Sequence, residues 1–403
     1  MTGKRSSLLS QVHYVTAFEG SSEGNFGLYK SQVLDFIEEA NNIKKDVCEL
    51  IAFLSSKQNS FMLENECKQK GIRLKVVKTS EVVRYYPYYF MPENALIPTV
   101  SATPKIFIGR EIVATYFAKC LMKGMRQRKN ASLLIDKRGL PELEVFSFKN
   151  KPIWFKLLKY SILLSIQEKT KKDIIGARFV SKALKQYVLD KNYLSDDIES
   201  IVQPTMVKKK RLDRSKNSIP EIDEKLINVT YIGGGSDYQK LEEIIDYMRL
   251  IAKKNLHKVQ PIVVSNFKNE EEVVRTKRRL GRMALVFNKI SNDKVLSILK
   301  QSDFGIVVRD DVVFNRVSSP VKISEYLMAG VKILYKGNIA VIREQMHRYP
   351  RDTFQDMRCS RYLKKVSSSD REQIAKVSDD IFSATVNAAN FLTYLAENYE
   401  LDF

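Results

Sequence analysis

The chain has 403 residues, and its 67 Lys and Arg against 47 Asp and Glu give a formal net charge of +20. Hydrophobic residues make up 44% and charged residues 28%, a globular composition that argues against wholesale disorder. At roughly 150 residues per domain, the length suggests two domains or one large one. No run approaches the roughly 18 apolar residues that cross a bilayer. We expect a soluble, cytoplasmic protein that prefers anionic partners.

Several classes of site find no support in the sequence. The four cysteines and three histidines are widely spaced, so neither a disulfide framework nor a zinc site is predicted. No RNP-like aromatic signature, zinc-finger spacing or basic-leucine heptad occurs, so nucleic acid is not an expected partner. The basic clusters are compatible with solvated helix faces and with an anionic membrane surface.

In the first half, short β-rich runs alternate with helical patterns. Strands are predicted at 10–18, 47–54, 72–77, 131–135, 174–180 and 198–202. Helices are predicted at 28–41, 61–70, 112–122, 155–167 and 182–189. A loop with several glycines, 20–27, follows the first strand. Such alternation predicts a parallel sheet covered by helices on both faces.

The Lys-, Arg- and Ser-rich stretch 204–220 interrupts the alternation and indicates a linker or an exposed hinge. The pattern then restarts, with strands predicted at 227–232, 261–265, 284–287, 304–308 and 331–334. Helices are predicted at 241–252, 270–280, 292–301, 320–329 and 379–397. We predict an N-terminal domain (1–204), a basic linker (205–225), a C-terminal domain (226–378) and a C-terminal helix (379–403) that packs back on the N-terminal domain.

The helix predicted at 320–329 begins with a pattern suited to anion binding. Ser319 is a natural N-cap, Pro320 fits the first helical position and Gly330 suits the residue after the helix. Free N–H groups at Ser318, Ser319 and the first turn would form an anion site at the positive end of the helix dipole.

Two charged side chains follow one turn into that helix. Lys322 and Glu325 are three residues apart and share one helix face. The carboxylate is suited to accept hydrogen bonds from ribose hydroxyls, while Lys322 or Arg309 meets a phosphate. A surface Lys–Glu pair on a routine helix explains the same pattern from composition alone.

The segment from Ser318, Ser-Ser-Pro-Val-Lys-Ile-Ser-Glu-Tyr-Leu-Met-Ala-Gly-Val, resembles the donor site of family 4 glycosyltransferases. The resemblance implies an α/β fold of two Rossmann-like, doubly wound parallel-sheet domains that face a cleft, known as GT-B. It also implies that Glu325 holds the ribose of a nucleotide-sugar donor. The two-glutamate form of the motif has another Glu eight positions earlier, where this chain has Val317.

A second resemblance involves the loop after the first strand of the C-terminal domain. Gly233, Gly234 and Gly235 allow close approach of the backbone to an anion and resemble the first donor-domain loop of the family. Lys240 or Arg309 would supply the basic group that members place near the diphosphate. A plain tight turn is the equal alternative.

The N-terminal half offers looser matches. Asp136-Lys-Arg138-Gly resembles the Asp-x-Arg-Gly found at a strand end in polysaccharide-building relatives, which makes Asp136 and Arg138 the catalytic candidates. A strand-ending turn with a surface ion pair is the alternative. Gly24 and Gly27 would face the phosphates or the acceptor from a loop. His13 does not match the family histidine, so no general base is assigned.

The segment from Pro152 contains Trp154, Phe155, Leu158 and Ile162 at helical spacing, together with lysines. This pattern suits an interfacial helix on an anionic membrane. A core helix with snorkelling lysines explains the same pattern and is the favoured interpretation.

The resemblance implies a retaining, metal-independent transferase that uses no cofactor. A nucleotide-sugar donor would pass its sugar to a glycan or lipid-linked acceptor in surface-polysaccharide synthesis, at the inner face of the membrane. A sugar-nucleotide epimerase of the same fold and an inactive, membrane-associated scaffold are the alternatives.

Overall fold

The computed structural model describes residues 11–19, 23–85, 106–123, 131–147, 151–209, 219–233, 240–255, 258–360, 362–399 and 401. The chain forms two compact units. Unit 1 comprises Met1–Gln203 and Asn387–Phe403, and unit 2 comprises Pro204–Val386. The chain therefore passes between the units twice. Among the described residues, no helix has both the length and the hydropathy needed to span a bilayer.

Unit 1 is built on a parallel sheet. Its described strands are β1 (Val12–Ala17), β2 (Cys48–Ser55), β3 (Leu74–Thr79), β4 (Ile106–Arg110), β5 (Ser132–Lys137), β6 (Ile174–Phe179) and β7 (Glu199–Val202). They are ordered β3-β2-β1-β4-β5-β6-β7. The order reverses between β1 and β4, and ligands of open parallel sheets usually bind at the carboxyl edge beside such a switch point.

The helices of unit 1 lie between these strands. They are α1 (Glu23–Tyr29), α2 (Asp35–Ile43), α3 (Phe61–Gln69), α4 (Glu81–Tyr85), α5 (Glu111–Lys123), α6 (Pro141–Glu144), α7 (Ile153–Thr170) and α8 (Lys182–Asp190). A π-helical segment, Lys30–Leu34, joins α1 to α2, and short 3₁₀ turns lie at Val145–Ser147 and Lys171–Asp173. The buried faces of the strands read as nearly continuous apolar runs, as expected for a sheet covered on both sides.

Unit 2 repeats this architecture. Its described strands are β8 (Ile227–Gly233), β9 (Val259–Ser265), β10 (Leu285–Asn288), β11 (Phe304–Val308), β12 (Lys332–Lys336) and β13 (Phe354–Asp356). They are ordered β10-β9-β8-β11-β12-β13 with parallel pairing, so the switch point lies between β8 and β11. Ile306 and Val308 pack into one apolar cluster and Val307 into another, because successive side chains point to opposite faces.

The helices of unit 2 complete the two layers. They are α9 (Leu241–Lys254), α10 (Glu270–Leu280), α11 (Asn292–Lys300), α12 (Val313–Arg316), α13 (Val321–Met328), α14 (Ala340–Gln345) and α15 (Ser368–Phe382), with a 3₁₀ turn at Met346–Arg348. The last helix, α16 (Ala384–Tyr399), belongs to unit 1 from Asn387 onward.

The single C-terminal helix predicted at 379–397 is wrong. The chain forms α15 and α16, and Ser383 between them has an extended backbone, with φ −63° and ψ 131°. Val207 donates its N–H to Phe382 O at 2.8 Å and accepts the N–H of Ala384 at 3.0 Å. Ser383 itself still donates its N–H to Asp379 O at 3.2 Å, so Val207 interrupts the helix by bonding the residues on either side of Ser383.

The predicted exposed hinge at 204–220 also differs from the structure over its described start. Thr205, Met206 and Val207 are buried in unit 2. The backbone oxygen of Thr205 accepts the hydroxyl of Ser324 at 2.7 Å. Polar composition suggested exposure, whereas these hydrogen bonds fix the segment against α13.

Candidate functional site

The two central strands of unit 2 separate at the carboxyl edge of the sheet. The β8–β11 register pairs Phe304 with Val229 and Gly305 with Thr230. Beyond that point the hydroxyl of Tyr326, on α13, accepts the N–H of Ile232 at 3.0 Å. The Tyr326 hydroxyl thus takes the place of a strand partner for β8 at the switch point, the position where ligands of such sheets bind.

Gly305 is what allows Tyr326 to reach this position. A Cβ on Gly305 would lie 2.5 Å from ring atoms of Tyr326, closer than any real contact. Tyr326 is fully buried, and burial raises the pKa of its hydroxyl above the ordinary tyrosine value. The sequence analysis missed the pair. An aromatic residue directly after Glu325 and a glycine in an apolar strand were the available signals.

The start of α13 differs from the predicted cap. The helix begins at Val321, and Pro320 is its N-cap residue with an extended backbone. The hydroxyl of Ser319 instead lies 3.1 Å from both the backbone nitrogen and the hydroxyl of Thr205. The Ser318 N–H donates to Asn315 O at 3.2 Å. The predicted Ser319 cap and the free Ser318 N–H are therefore wrong, because both groups hold neighbouring loops.

Lys322 lies in the first turn of α13 among other charged and aromatic groups. Its ammonium nitrogen is 5.0 Å from the ring centroid of Tyr231 on β8. Burial, followed by the nearby Arg309 guanidinium, lowers the pKa of Lys322 well below its ordinary value, while Glu325 opposes the shift. Lys322 is therefore close enough to Arg309 and Glu325 to be influenced by both charges. A bound anion would stabilise the charged form of a lysine in this environment.

Arg309 directly follows β11 and contacts the loop after β12. Its backbone N–H donates to Lys336 O at 2.9 Å. Gly337 has φ +108°, and a Cβ there would lie 2.3 Å from the Arg309 oxygen. Only glycine fits this close approach, so the two strand-end loops meet beside the switch point.

The loop after β8 reaches the same edge through Lys240. This residue precedes α9 in the left-handed conformation (φ +52°), and its ammonium lies 2.9 Å from an Asp310 carboxylate oxygen. Gly233 is the last residue of β8. Gly234 and Gly235 lie outside the described residues.

A cavity of about 430 Å³ opens beside these loops. Its lining includes Arg309, Asp310, Lys336, Gly337 and Arg343. The volume falls in the range of small-molecule sites. The sequence analysis did not single out Lys336, Gly337 or Arg343, since their strand and helix carried no motif. Val317, which stands where the two-glutamate motif has its first Glu, is buried.

The predicted catalytic pair of unit 1 lies at the end of β5. Arg138 Nε is 2.8 Å from Asp136 Oδ1, and Tyr14 donates its hydroxyl to Asp136 Oδ2. Asp136 has no exposed surface, so the alternative of a surface ion pair is wrong. Burial opposes ionisation of Asp136, but Arg138, Arg178 and Arg110 outweigh it and hold its pKa below the ordinary value. An anion held in this way suits a structural role better than proton transfer.

Glu111 is a carboxyl group that the sequence analysis missed. It follows β4 immediately, has φ +59°, and accepts the N–H of Gly139 at 2.8 Å. Burial raises its pKa to about 7, although Lys137 works in the opposite direction. A strained residue at a strand-to-helix turn is a common feature of functional sites, and this pKa suits proton transfer near neutrality.

The remaining predicted residues of unit 1 do not join this edge as expected. Gly24 and Gly27 lie in helix α1 rather than in a loop, because the helical pattern begins at Glu23 instead of Leu28. His13 is buried within β1, stacked on Phe107 with ring centroids 5.2 Å apart and 3.0 Å from Glu49. Within the described part of the chain, no group of three His, Cys, Asp or Glu residues is placed to hold a metal ion.

Comparison with known proteins gives a result at the level of fold. No family model matches the chain, and no curated protein matches it. The solved apo structure of OtsA matches with a TM-score of 0.62 and 11% identity over 96% of this chain and 99% of that one. The UDP-forming α,α-trehalose-phosphate synthase from Burkholderia xenovorans matches with a TM-score of 0.61 and 12% identity, covering 98% and 100%.

The UDP-GlcNAc 2-epimerase from Neisseria meningitidis, solved with UDP-GlcNAc bound, matches with a TM-score of 0.53 and 12% identity, covering 96% and 100%. At such identities the likeness shows the fold alone. The chain has the two-domain, Rossmann-like GT-B fold, and the predicted fold class is confirmed.

Proposed function

We propose that this protein is a glycosyltransferase that takes a sugar from a nucleotide-diphosphate sugar and passes it to an acceptor hydroxyl. The observation that carries the proposal is the meeting of Lys322, Arg309 and Glu325 at the β8–β11 switch point. The fold agrees, because GT-B neighbours include the sugar-phosphate synthases and the UDP-sugar epimerase described above.

Each of these groups has a role that its chemistry supports. Lys322 and Arg309 bind the diphosphate and stabilise the negative charge that grows on it as the anomeric C–O bond breaks. Lys240 supports them from the loop after β8. Glu325 accepts hydrogen bonds from the ribose hydroxyls. We expect retention of anomeric configuration and no requirement for a metal, as in family 4, with surface polysaccharide as the product class.

Donor binding tests the proposal directly. UDP-, GDP- and dTDP-sugars are added in a thermal-shift panel, since a bound donor raises the melting temperature by mass action. Glu325→Gln should make the binding free energy of the best donor less favourable by about 1.5–3 kcal/mol, the contribution of one charged hydrogen bond. The exposed Glu271→Gln is the matched control. Equal affinity in wild type and Glu325→Gln would remove Glu325 from the site.

An epimerase of the same fold is the second candidate, favoured by the likeness to the UDP-GlcNAc 2-epimerase. Incubation with the UDP-sugar alone separates the two functions. A new epimer without acceptor indicates the epimerase, whereas nucleotide release only when acceptor is supplied indicates the transferase. An inactive scaffold would show neither.

We also propose that α7 attaches the protein to an anionic membrane, where a lipid-linked acceptor would be found. Its first half exposes Ile153 (63%), Trp154 (64%) and Leu157 (51%) beside Lys156 and Lys159. Its second half buries one face, which includes Ile162, Leu163 and Ile166. Apolar side chains interleaved with lysines suit the boundary between headgroups and acyl chains.

Trp154 is the single tryptophan of the chain, so its fluorescence reports on this surface alone. Vesicles containing phosphatidylglycerol should shift its emission to the blue, and pure phosphatidylcholine vesicles should shift it much less. In the double variant Lys156→Glu/Lys159→Glu, the two kinds of vesicle should shift the emission equally. In the control Lys172→Glu/Lys182→Glu, most of the difference between the two shifts should remain. An emission maximum that does not respond to anionic vesicles would contradict attachment through α7.

A further inference from the structure

Three arginines lie at the carboxyl edge of the unit 1 sheet. In the β4–β5–β6 register, Arg110 lies beside Asp136, and Asp136 beside Arg178. Arg138 lies two residues beyond Asp136, just past the end of β5. Because paired residues of neighbouring parallel strands share a face, these side chains gather on one side of the sheet. We call Arg110, Arg138 and Arg178 the arginine cluster.

Each guanidinium group of the cluster contacts a carboxylate or an aromatic ring. Arg138 pairs with Asp136, and Arg110 Nε lies 2.9 Å from Glu19 Oε2. Arg178 lies over the rings of Phe36 and Phe391, 4.2 and 5.2 Å from their centroids.

The neighbouring Lys137 belongs to a separate group of charges. Strand alternation directs it to the opposite face, where its ammonium is 3.2 Å from Glu111 and 3.5 Å from Glu142. Among the described residues, the side-chain ion pairs of Arg110 and Arg138 are made with Glu19 and Asp136.

Some N–H groups of the cluster are left without acceptors. Within the described residues, both Nη nitrogens of Arg138 and Nη1 of Arg110 are buried and have no hydrogen-bond partner. The two side chains are only 8% and 9% exposed. Unpaired donors on buried charges are costly, and they are rare unless a ligand satisfies them.

These donors are positioned at the switch point of the sheet. Arg110 ends β4, and its partner Glu19 lies two residues beyond the end of β1. These are the two strands between which the order reverses, the usual place for a ligand. A guanidinium with both Nη groups available binds a carboxylate or phosphate through two parallel hydrogen bonds.

We propose that the arginine cluster binds an oxyanion, a phosphate or a carboxylate, through the unpaired N–H groups of Arg110 and Arg138. Resting on the proposed function, this oxyanion belongs to the acceptor, which is therefore a phosphorylated or acidic sugar. Asp136 and Glu19 hold the guanidiniums of Arg138 and Arg110 in place. Arg178, stacked on Phe36 and Phe391, adds positive electrostatic potential to the site.

Binding is measured by calorimetry on the full chain with inorganic phosphate and, separately, with acetate, at ionic strength matched with chloride. Saturable binding of either anion is expected, and the stronger one identifies the oxyanion class. Arg138→Gln should weaken it at least tenfold. Arg138→Lys keeps the charge but loses the paired donors, and should also bind weakly. Lys171→Gln, at the opposite edge of the same sheet, should bind like wild type.

Circular dichroism spectra of each variant, recorded without anion, show whether the variant is folded. If Arg138→Gln unfolds, folded Arg138→Lys and Arg110→Gln decide the outcome. Equal binding by wild type and folded cluster variants, or no saturable binding by wild type, overturns the proposal. Glu325→Gln separates it from the proposed donor site, because that variant should lose donor binding while it keeps phosphate or acetate binding.

Discussion

A single partly buried lysine carries much of the proposed donor chemistry. Lys322 lies near Arg309, with its ammonium over the ring of Tyr231, where loss of solvent disfavours its charged form. Residue types and spacing predicted that Lys322 and Glu325 share one face with Arg309 nearby. They did not predict the burial, because that depends on Tyr231 and on the packing of β8 against α13.

Lys322→Met should therefore stabilise the empty protein and abolish donor binding. At neutral pH we expect the free energy of unfolding to rise by about 1 kcal/mol, because a buried charge is replaced by an apolar chain of similar length. Urea denaturation measures the gain, and the exposed Lys253→Met is the control. If Lys322→Met instead lowers the free energy of unfolding, the charged form of Lys322 does not destabilise the folded protein, and the prediction is wrong.

The same substitution predicts a pH dependence. The folded pKa of Lys322 lies below its unfolded value, so the unfolded chain binds more protons between the two values. The penalty is fully present below the folded pKa and declines as the pH rises toward the unfolded value. The stability difference between Lys322→Met and wild type should shrink as urea titrations move from neutral to alkaline pH, and a constant difference would argue against it.

At the scale of helices and strands, periodicity predicted most of the architecture. The strand at 304–308 and the helix at 270–280 match the structure at both ends. Several described elements were missed, among them α4, β4, α6, α12, β13 and α14. β4 and β13 are short, and α14 follows a polar loop. None of the three contains a hydrophobic pattern long enough to predict a strand or helix. The break at Ser383 could not be predicted, because its cause is Val207, far away in the sequence.

Asp303 shows how one residue organises several elements. It is fully buried before β11 and lies 2.7 Å from Arg371 Nη2 and 3.1 Å from Lys365. It also accepts the backbone N–H groups of Asn228 and Val366. The amino ends of β8 and β11 and the start of α15 thus meet at one carboxylate. The residues around Asp303 form no recognisable motif, so its structural role could not be predicted from the sequence.

Asp303→Asn should destabilise unit 2 by about 3 kcal/mol, because Arg371 is left partly buried without its anion. The loss is measured as a lower urea midpoint with an unchanged slope. Asp380→Asn, at an exposed position of α15, should cost under about 0.5 kcal/mol. A midpoint for Asp303→Asn close to that of the control would show that the carboxylate is dispensable.

At the scale of the whole molecule, the last helix contributes to unit 1 although unit 2 precedes it in the chain. Phe391 packs on Phe36 with ring centroids 5.5 Å apart, and Tyr394 donates to Glu199 O at 2.9 Å. Gly176 on β6 provides room for Tyr399, because a Cβ there would lie 2.0 Å from its hydroxyl. The final helix is therefore part of the unit 1 core.

Phe391→Ala should loosen unit 1 without affecting unit 2. The expected cost is about 3 kcal/mol for a large buried aromatic, with the stacking on Arg178 lost as well. Hydrogen exchange followed by mass spectrometry should show faster exchange in β6 and β7 and unchanged rates in β9 and β12. Leu250→Ala, exposed on α9, is the control. Uniform acceleration across both sheets would contradict a local effect.

The double passage of the chain also sets an order of events during synthesis. A ribosome releases all of Pro204–Val386 before the residues that finish unit 1. Because domains fold as units while the chain emerges, the later-encoded sheet becomes complete first. The earlier one must wait, with Arg178 and its neighbours open to water, until Asn387–Phe403 have been synthesised and have emerged. A stop codon that removes this segment would therefore damage the unit whose translation began first.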